Sequence, residues 1–310
     1  MNLFFEFILC FLNFIFYFCI RMEYQELWHR LTPMYEPREA QAVVRTLLDG
    51  LFDMSLTDIV SGKVSELSAN DQQLVGEKMD ELAKGEPVQY VIGYEWFAGR
   101  QFKVTPSVLI PRPETAELCG LVRKDYDHPF CGLQPPEPLR ILDIGTGSGC
   151  IAITLALDIP FAEASAWDIS PDALLVAREN ARRLGAKVNL ELHDMLDGGA
   201  LPVPDEERKY EVIVSNPPYV CDKERQEMEQ NVLDYEPGLA LFVPDDDPLR
   251  FYRAIGEYAV KALRKFGRLY FECNRMFADD TADLLKGLGF RSAKVVNDQF
   301  GNKRFVVAEL

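Results

Sequence analysis

Asn216, Pro217, Pro218 and Tyr219 follow Val212, Ile213, Val214 and Ser215. The β-branched run reads as a buried strand of a parallel sheet, and two prolines end its hydrogen-bond ladder. Proline holds φ at about −65° and restricts the residue before it. The side-chain carbonyl of Asn216 and the backbone carbonyl of Pro217 can then converge on one point. Two such acceptors can grip both hydrogens of a planar NH2 group and turn its lone pair toward an electrophile. That is catalysis by orientation and electrostatics, without a strong base. Tyr219 would pack on the flat group. Alone, the tetrapeptide reads equally well as an Asx–Pro turn.

Three other strand ends carry suggestive residues. Leu139–Ile144 leads into Asp143-Ile-Gly-Thr-Gly-Ser-Gly149 and a helix, Cys150–Leu157. Gly145, Gly147 and Gly149, with Thr146 and Ser148 between them, let a ligand approach backbone at a helix N-terminus. No Gly-Lys-Ser/Thr follows, so this is not a phosphate-binding P-loop. Asp168 closes the next strand, Ala164–Trp167, where a carboxylate suits two ribose hydroxyls. A third strand, Val188–Leu192, ends at His193-Asp194-Met195. Asp194 reads either as an acceptor for an adenine amino group or as a loop carboxylate or helix cap; Met195 would be apolar cover. Four features at successive strand ends together describe an S-adenosylmethionine pocket with an amine-type methyl acceptor at its mouth.

The rest of the chain must position these residues. Its 310 residues allow one large domain or two smaller ones. A net charge of −16 disfavours non-specific DNA or RNA binding, which depends on neutralising phosphates, and no direct nucleic-acid partner is expected. The seven cysteines are scattered without a CxxC pair and the three histidines are far apart. Reduced thiols, a cytoplasmic location and no metal site are expected. Residues 1–21 are an apolar extension. They read as a start placed upstream of Met22 or as a membrane segment, and lack the flanks of a secretory signal. No membrane partner is expected unless they are real and inserted.

Residues 22–86 read as a small helical domain for packing or partner recognition. Ala40, Val43, Val44, Leu47, Leu48 and Leu51 form one stripe. Asn70 is the expected N-cap of a helix Asp71–Lys84 stopped by Gly85, with Leu74, Val75, Met79 and Leu82 buried. Residues 87–110 read as a strand-and-hairpin linker, with Val88–Ile92, Glu95–Phe97 and Phe102–Val104 as β-prone pieces. Residues 111–310 make the ligand-binding α/β domain. There, Arg112 between two prolines and Glu114 read as a helix start or as a charged pair beside a cleft. Residues 221–247 read as a long irregular stretch, its Asp245–Asp247 run a solvated turn or cap. A terminal hairpin, Lys294–Asn297 and Arg304–Glu309, closes the chain.

Over about residues 23–310 the chain resembles the protein-(glutamine-N5) methyltransferases of class 1 peptide-chain release factors, the HemK or PrmC family. Val108-Leu-Ile-Pro-Arg-Pro-Glu-Thr115, Asp143–Gly149, Ser215–Tyr219, Tyr235-Glu-Pro237 and the tail from Asp298 to Arg304 carry the resemblance. It implies a class I, Rossmann-like methyltransferase sheet behind a helical N-terminal domain and a β-hairpin linker. It also implies S-adenosylmethionine as cofactor and the glutamine of a release factor's Gly-Gly-Gln loop as acceptor. Gly145, Gly147, Asp168, Met195 and Asn216 fall at cofactor-contacting positions, and Asn216 to Tyr219 at glutamine-binding ones; Arg112 is a further candidate for substrate binding. Met195 departs from the aromatic residue common in the family. The same machinery could serve a ribosomal-protein glutamine or, on a flipped base, adenine N6; a non-catalytic scaffold fits the intact Asn-Pro-Pro-Tyr least.

Overall fold

The structure is a computed structural model and describes residues 22–126, 137–197 and 201–310. The apolar segment 1–21, with its two readings, lies outside the described residues. The chain divides into two compact units at Ile92/Gly93.

The first unit is helical. It contains α1 (Tyr24–His29), α2 (Pro37–Phe52), α3 (Leu56–Val60), α4 (Ala69–Leu82) and α5 (Val88–Ile92). The α2 stripe does what its spacing demands: Ala40, Val44, Leu47 and Leu48 are fully buried against Leu27, Leu31, Val75 and Met79. Pro37 opens α2, where its missing N–H is harmless. Two expectations need correcting on α4. Its N-cap is Ser68, whose hydroxyl accepts from the Asp71 N–H at 3.2 Å, so Asn70 lies inside the first turn. Leu74 is exposed, because it is rotated about 100° from the Val75–Met79–Leu82 line. Val88–Ile92 is a helix, not a strand. Pro87 accepts the first turn's bonds from Tyr90 and Val91, and Ile92 packs so close to Gly50 that a Cβ there would sit 3.1 Å from it. Burial in a helical core overrides the β-preference of Val and Ile.

The second unit begins with a hairpin, β1 (Tyr94–Phe97) and β2 (Arg100–Lys103). Ala98 and Gly99 turn it, both at positive φ, as a two-residue hairpin loop requires. Then follow α6 (Pro113–Tyr126), β3 (Leu139–Ile144), α7 (Cys150–Asp158), β4 (Ala162–Asp168), α8 (Pro171–Leu184), β5 (Val188–Leu192) and β6 (Tyr210–Ser215). The stretch read as irregular, 221–247, contains a 3-10 turn at Asp222–Glu227, α9 (Gln230–Tyr235) and α10 (Gly238–Leu241). It also contains a short parallel pair, β7 (Val220–Cys221) with β8 (Phe242–Val243). These pieces are too short to show a hydrophobic period. The chain ends with α11 (Arg250–Ala262), β9 (Leu263–Glu272), α12 (Ala278–Gly287), β10 (Ser292–Asn297) and β11 (Lys303–Glu309).

Seven strands form one sheet in the order β10-β11-β9-β6-β3-β4-β5. Six run in one direction, and β11 alone among the seven runs opposite to them, between β9 and β10. This is the class I, Rossmann-like methyltransferase sheet. Side chains alternate between its two faces. Leu142, Ile144, Ile213, Leu269 and Phe271 pack with α11 and α12. Ile141, Val212, Val214 and Tyr270 pack with α6 and α7. The chain leaves β3 toward β4 on one side, while β6 pairs on the other, so the crevice beyond β3 and β6 is the topological switch point. Among the described residues no helix is long and apolar enough to cross a membrane.

Candidate active site

Strand register puts the expected residues in one row. Glu191, Trp167, Ile144, Ser215 and Phe271 are mutual partners across β5, β4, β3, β6 and β9. One residue further, Leu192, Asp168, Gly145, Asn216 and Glu272 emerge together at the C-terminal edge of the sheet. A cavity opens there, lined by Gly145 to Ser148, by Asp168, Asp194 and Met195, and by Asn216, Pro217 and Pro218.

The glycine loop is shaped by its backbone. Gly145, Gly147 and Gly149 all have positive φ, at 75°, 53° and 81°. Gly149 has a second constraint: a Cβ there would come within 2.8 Å of Ile153. It caps α7 and does not line the cavity. The N–H groups of Gly145 and Thr146 both donate to the Trp167 carbonyl at 2.9 Å, tying the loop to β4.

Asp168 accepts from Gly147 N–H at 2.8 Å on one oxygen and from Ser170 N–H at 2.9 Å on the other. A carboxylate has about four acceptor directions, so each oxygen keeps one for a ligand. Burial raises the Asp168 carboxyl above its ordinary value, and these backbone bonds oppose the rise. Asp194 lines the cavity, and one of its oxygens accepts the Leu196 N–H at 2.8 Å. The turn bond therefore leaves the Asp194 side chain at the cavity wall.

Asn216 is held from behind. Its Nδ2 donates to Thr115 Oγ1 at 3.1 Å. Thr115 Oγ1 donates to Glu272 Oε2 at 2.7 Å. Tyr219 Oη donates to the other oxygen of Glu272 at 3.2 Å. Glu272 is 1 % exposed. Tyr219 thus turns its hydroxyl toward β9 and packs on the core beneath α11; it is not among the residues lining the cavity.

Comparison with known proteins fits this geometry. Residues 26–93 match the PrmC N-terminal domain family and residues 132–235 the methyltransferase small domain family. A release factor glutamine methyltransferase of Bacteroides thetaiotaomicron is 44% identical over 90% of this chain and 95% of its own. One of Flavobacterium psychrophilum is 37% identical over 89% of this chain and 94% of its own. The chain belongs to the release factor glutamine methyltransferase family. Among solved structures, the hMettl16 catalytic domain in complex with MAT2A 3′UTR hairpin 6 shares the fold. Its TM-score is 0.50 and its identity 15%, over 75% of this chain and 81% of that one.

Several residues of this methyltransferase's site were not singled out from sequence. Thr115 and Glu272 are two; a lone carboxylate closing the apolar run Leu269–Phe271 was the available signal for Glu272. Asp143 is a third. It is fully buried, and its Oδ2 accepts from Thr146 Oγ1 at 2.6 Å and from Ala152 N–H at 3.2 Å. Its Oδ1 has no partner. Burial pushes the Asp143 carboxyl up to about 7, against the pull of those hydrogen bonds. Of these three Thr115 alone lines the cavity, together with Pro237, Leu239, Phe251 and Ile255. Phe251 brings an aromatic ring to a cavity where Met195 lacks one.

Arg112 and Glu114 do not form the charged pair that reads as one alternative in the sequence. Arg112 pairs instead with Glu236, of the Tyr235-Glu-Pro237 motif, at 2.5 Å. The second oxygen of Glu236 accepts the Ile110 N–H at 3.1 Å. The Glu236 side chain is 1 % exposed and that of Arg112 is 34 % exposed. This clasp ties two motif loops together at the cavity rim. Arg112→Ala strands a buried carboxylate. Its cost is expected to be about 2 kcal/mol of unfolding free energy, below the usual figure for a buried pair because Arg112 is partly solvated. Urea denaturation of the two proteins, with unchanged m, checks it.

Proposed function

We propose that this methyltransferase transfers a methyl group from S-adenosylmethionine to the side-chain amide nitrogen of a glutamine, the one in the Gly-Gly-Gln loop of a class 1 release factor. The observation that carries this reading is that Asn216 and Pro217 share one cavity with the glycine loop and Asp168. Family membership supports the choice of acceptor.

The residues present fit the cofactor. Asp168 has two acceptor directions left for ribose hydroxyls. The unpartnered Asp143 Oδ1 is the kind of buried atom that a nearby ammonium group satisfies. Gly145 to Ser148 offer a close backbone approach for the methionine end, while Met195 and Phe251 offer apolar cover for the adenine. Bound there, the cofactor would supply an electrophilic methyl on a sulfonium whose sulfur keeps the C–S electron pair, and the amide proton lost on N–C bond formation would pass to water.

The chain's own part is positional. Asn216 Oδ1 and the Pro217 carbonyl accept the two amide N–H bonds. Doing so draws the nitrogen toward a pyramidal shape and points its lone pair at the methyl group. No side chain need act as a strong base. The helical unit, residues 22–92, would take part in recognising the release factor. Digestion of a release factor after incubation with enzyme and cofactor tests the reading. One added methyl on the Gly-Gly-Gln glutamine is expected; methylation elsewhere or none contradicts it.

A further inference from the structure

We propose that Thr115 and Glu272 are positioning residues that decide which end of the Asn216 amide faces the substrate. The inference rests on the reading that Asn216 Oδ1 receives the acceptor amide. It comes from counting protons along one chain of hydrogen bonds.

A side-chain amide can present either its oxygen or its NH2 to the cleft, and only the oxygen can accept from a glutamine NH2. Ionised Glu272 has no proton to give, so every bond it makes is one it accepts. Thr115 has one hydroxyl proton, and the 2.7 Å contact to Glu272 Oε2 takes it. Toward Asn216, Thr115 can then only accept. The amide must therefore turn Nδ2 to Thr115, as it does at 3.1 Å, and leave Oδ1 for the acceptor. Tyr219 holds the other oxygen of Glu272 by donation, which fixes the plane of the carboxylate.

The components come from distant segments: Thr115 lies in the first turn of α6, Asn216 directly follows β6 and Glu272 ends β9. Thr115 is 3 % exposed and Glu272 1 %, so water does not compete for these bonds. Burial raises the Glu272 carboxyl, while Thr115, Arg304 and Tyr219 hold it down and Glu114 adds to the rise. Among the groups around it, Glu114 and Cys119 belong to α6, Cys150 to α7, Cys273 to its own segment and Arg304 to β11. Protonated Glu272 can donate to Thr115, which can then donate to Asn216 Oδ1. The amide flips and its NH2 confronts the substrate's NH2. The device is thus sensitive to one proton.

Three variants test it with purified enzyme, S-adenosylmethionine and a release factor. Thr115→Val should lower kcat roughly 10–100-fold, the scale of a misdirected reacting group, with cofactor affinity unchanged. Thr115→Ser should restore most of the rate, since it keeps the hydroxyl. Glu272→Gln cannot titrate, so the acid-side fall in kcat expected of the wild type should be absent from it. Equal rates for Thr115→Val and wild type would overturn the proposal. So would equal losses in Val and Ser variants, or an unchanged pH profile in Glu272→Gln.

A second readout does not depend on the acceptor. The Asn216 side-chain NH2 resonance of the cofactor-bound enzyme, assigned by its loss in Asn216→Ala, should exchange slowly in the wild type and fast in Thr115→Val. Identical exchange in both contradicts the proposal. If the wild type shows protected NH2 groups but does not methylate the release factor, the choice of acceptor fails and the positioning device stands.

Discussion

Asn216→Ala is expected to lower kcat for glutamine methylation by about 10²–10³-fold, the cost of losing one preorganised polar contact to a reacting group. Cofactor affinity should stay close to that of the wild type. The split follows from the geometry. Asn216 follows the last residue of β6 on the cavity wall, and its Nδ2 is tied by Thr115. Removing it takes away one of two acceptors for the substrate NH2 and leaves Asp168 and the glycine loop untouched. Calorimetric titration of cofactor beside steady-state kinetics measures both quantities. Parallel losses in affinity and rate would show that Asn216 serves the cofactor rather than the acceptor.

The second large effect is expected at Asp143. Asp143→Asn keeps an oxygen to accept from Thr146 and Ala152 and puts an NH2 where Oδ1 stands unpartnered. An NH2 there opposes an ammonium group. Affinity for S-adenosylmethionine should fall about 10–100-fold, the range of a charge-assisted hydrogen bond. The wild type should also show a pH dependence that the variant lacks. Burial holds the empty enzyme's Asp143 at about 7. Below that pH the carboxyl must lose a proton before it can pair with the ammonium, so affinity should weaken by up to about tenfold per unit as pH falls.

Stability should move the other way. A carboxyl raised above its unfolded value favours the folded state at low pH, and that advantage is lost as pH rises through about 7. The empty Asp143→Asn protein should therefore melt higher than the wild type at pH above 7. The gap should shrink as pH falls toward the ordinary carboxyl range. A calorimetric melt of both proteins across that range reads the sign. Equal melting temperatures throughout would mean that Asp143 is not a buried, strained carboxylate.

The sheet was legible because its central strands are short apolar runs ended by residues of another kind. Leu139–Ile144 and Val188–Leu192 read with the limits the structure shows, and Asp168 and Asn216 stand where their strands end. Local chemistry that depends on neighbours was also readable, such as the glycine loop before α7. What was not legible is what lies far apart in sequence. Thr115 and Asn216 are 101 residues apart, Thr115 and Glu272 157, Arg112 and Glu236 124. No period or motif spacing encodes such a pair, although the Arg112 and Glu236 motifs were each visible alone. Val88–Ile92 misled for a related reason: its side chains prefer a strand, and its neighbours Gly50 and Pro87 decide for a helix.

The most direct test of the central claim uses tritiated S-adenosylmethionine and a purified class 1 release factor. The wild-type factor is run beside one whose Gly-Gly-Gln is changed to Gly-Gly-Ala. Label in the wild-type factor alone is the predicted result, and fixes reaction, acceptor and partner together. Label in both, or in neither, contradicts the assignment of that glutamine as the methyl acceptor.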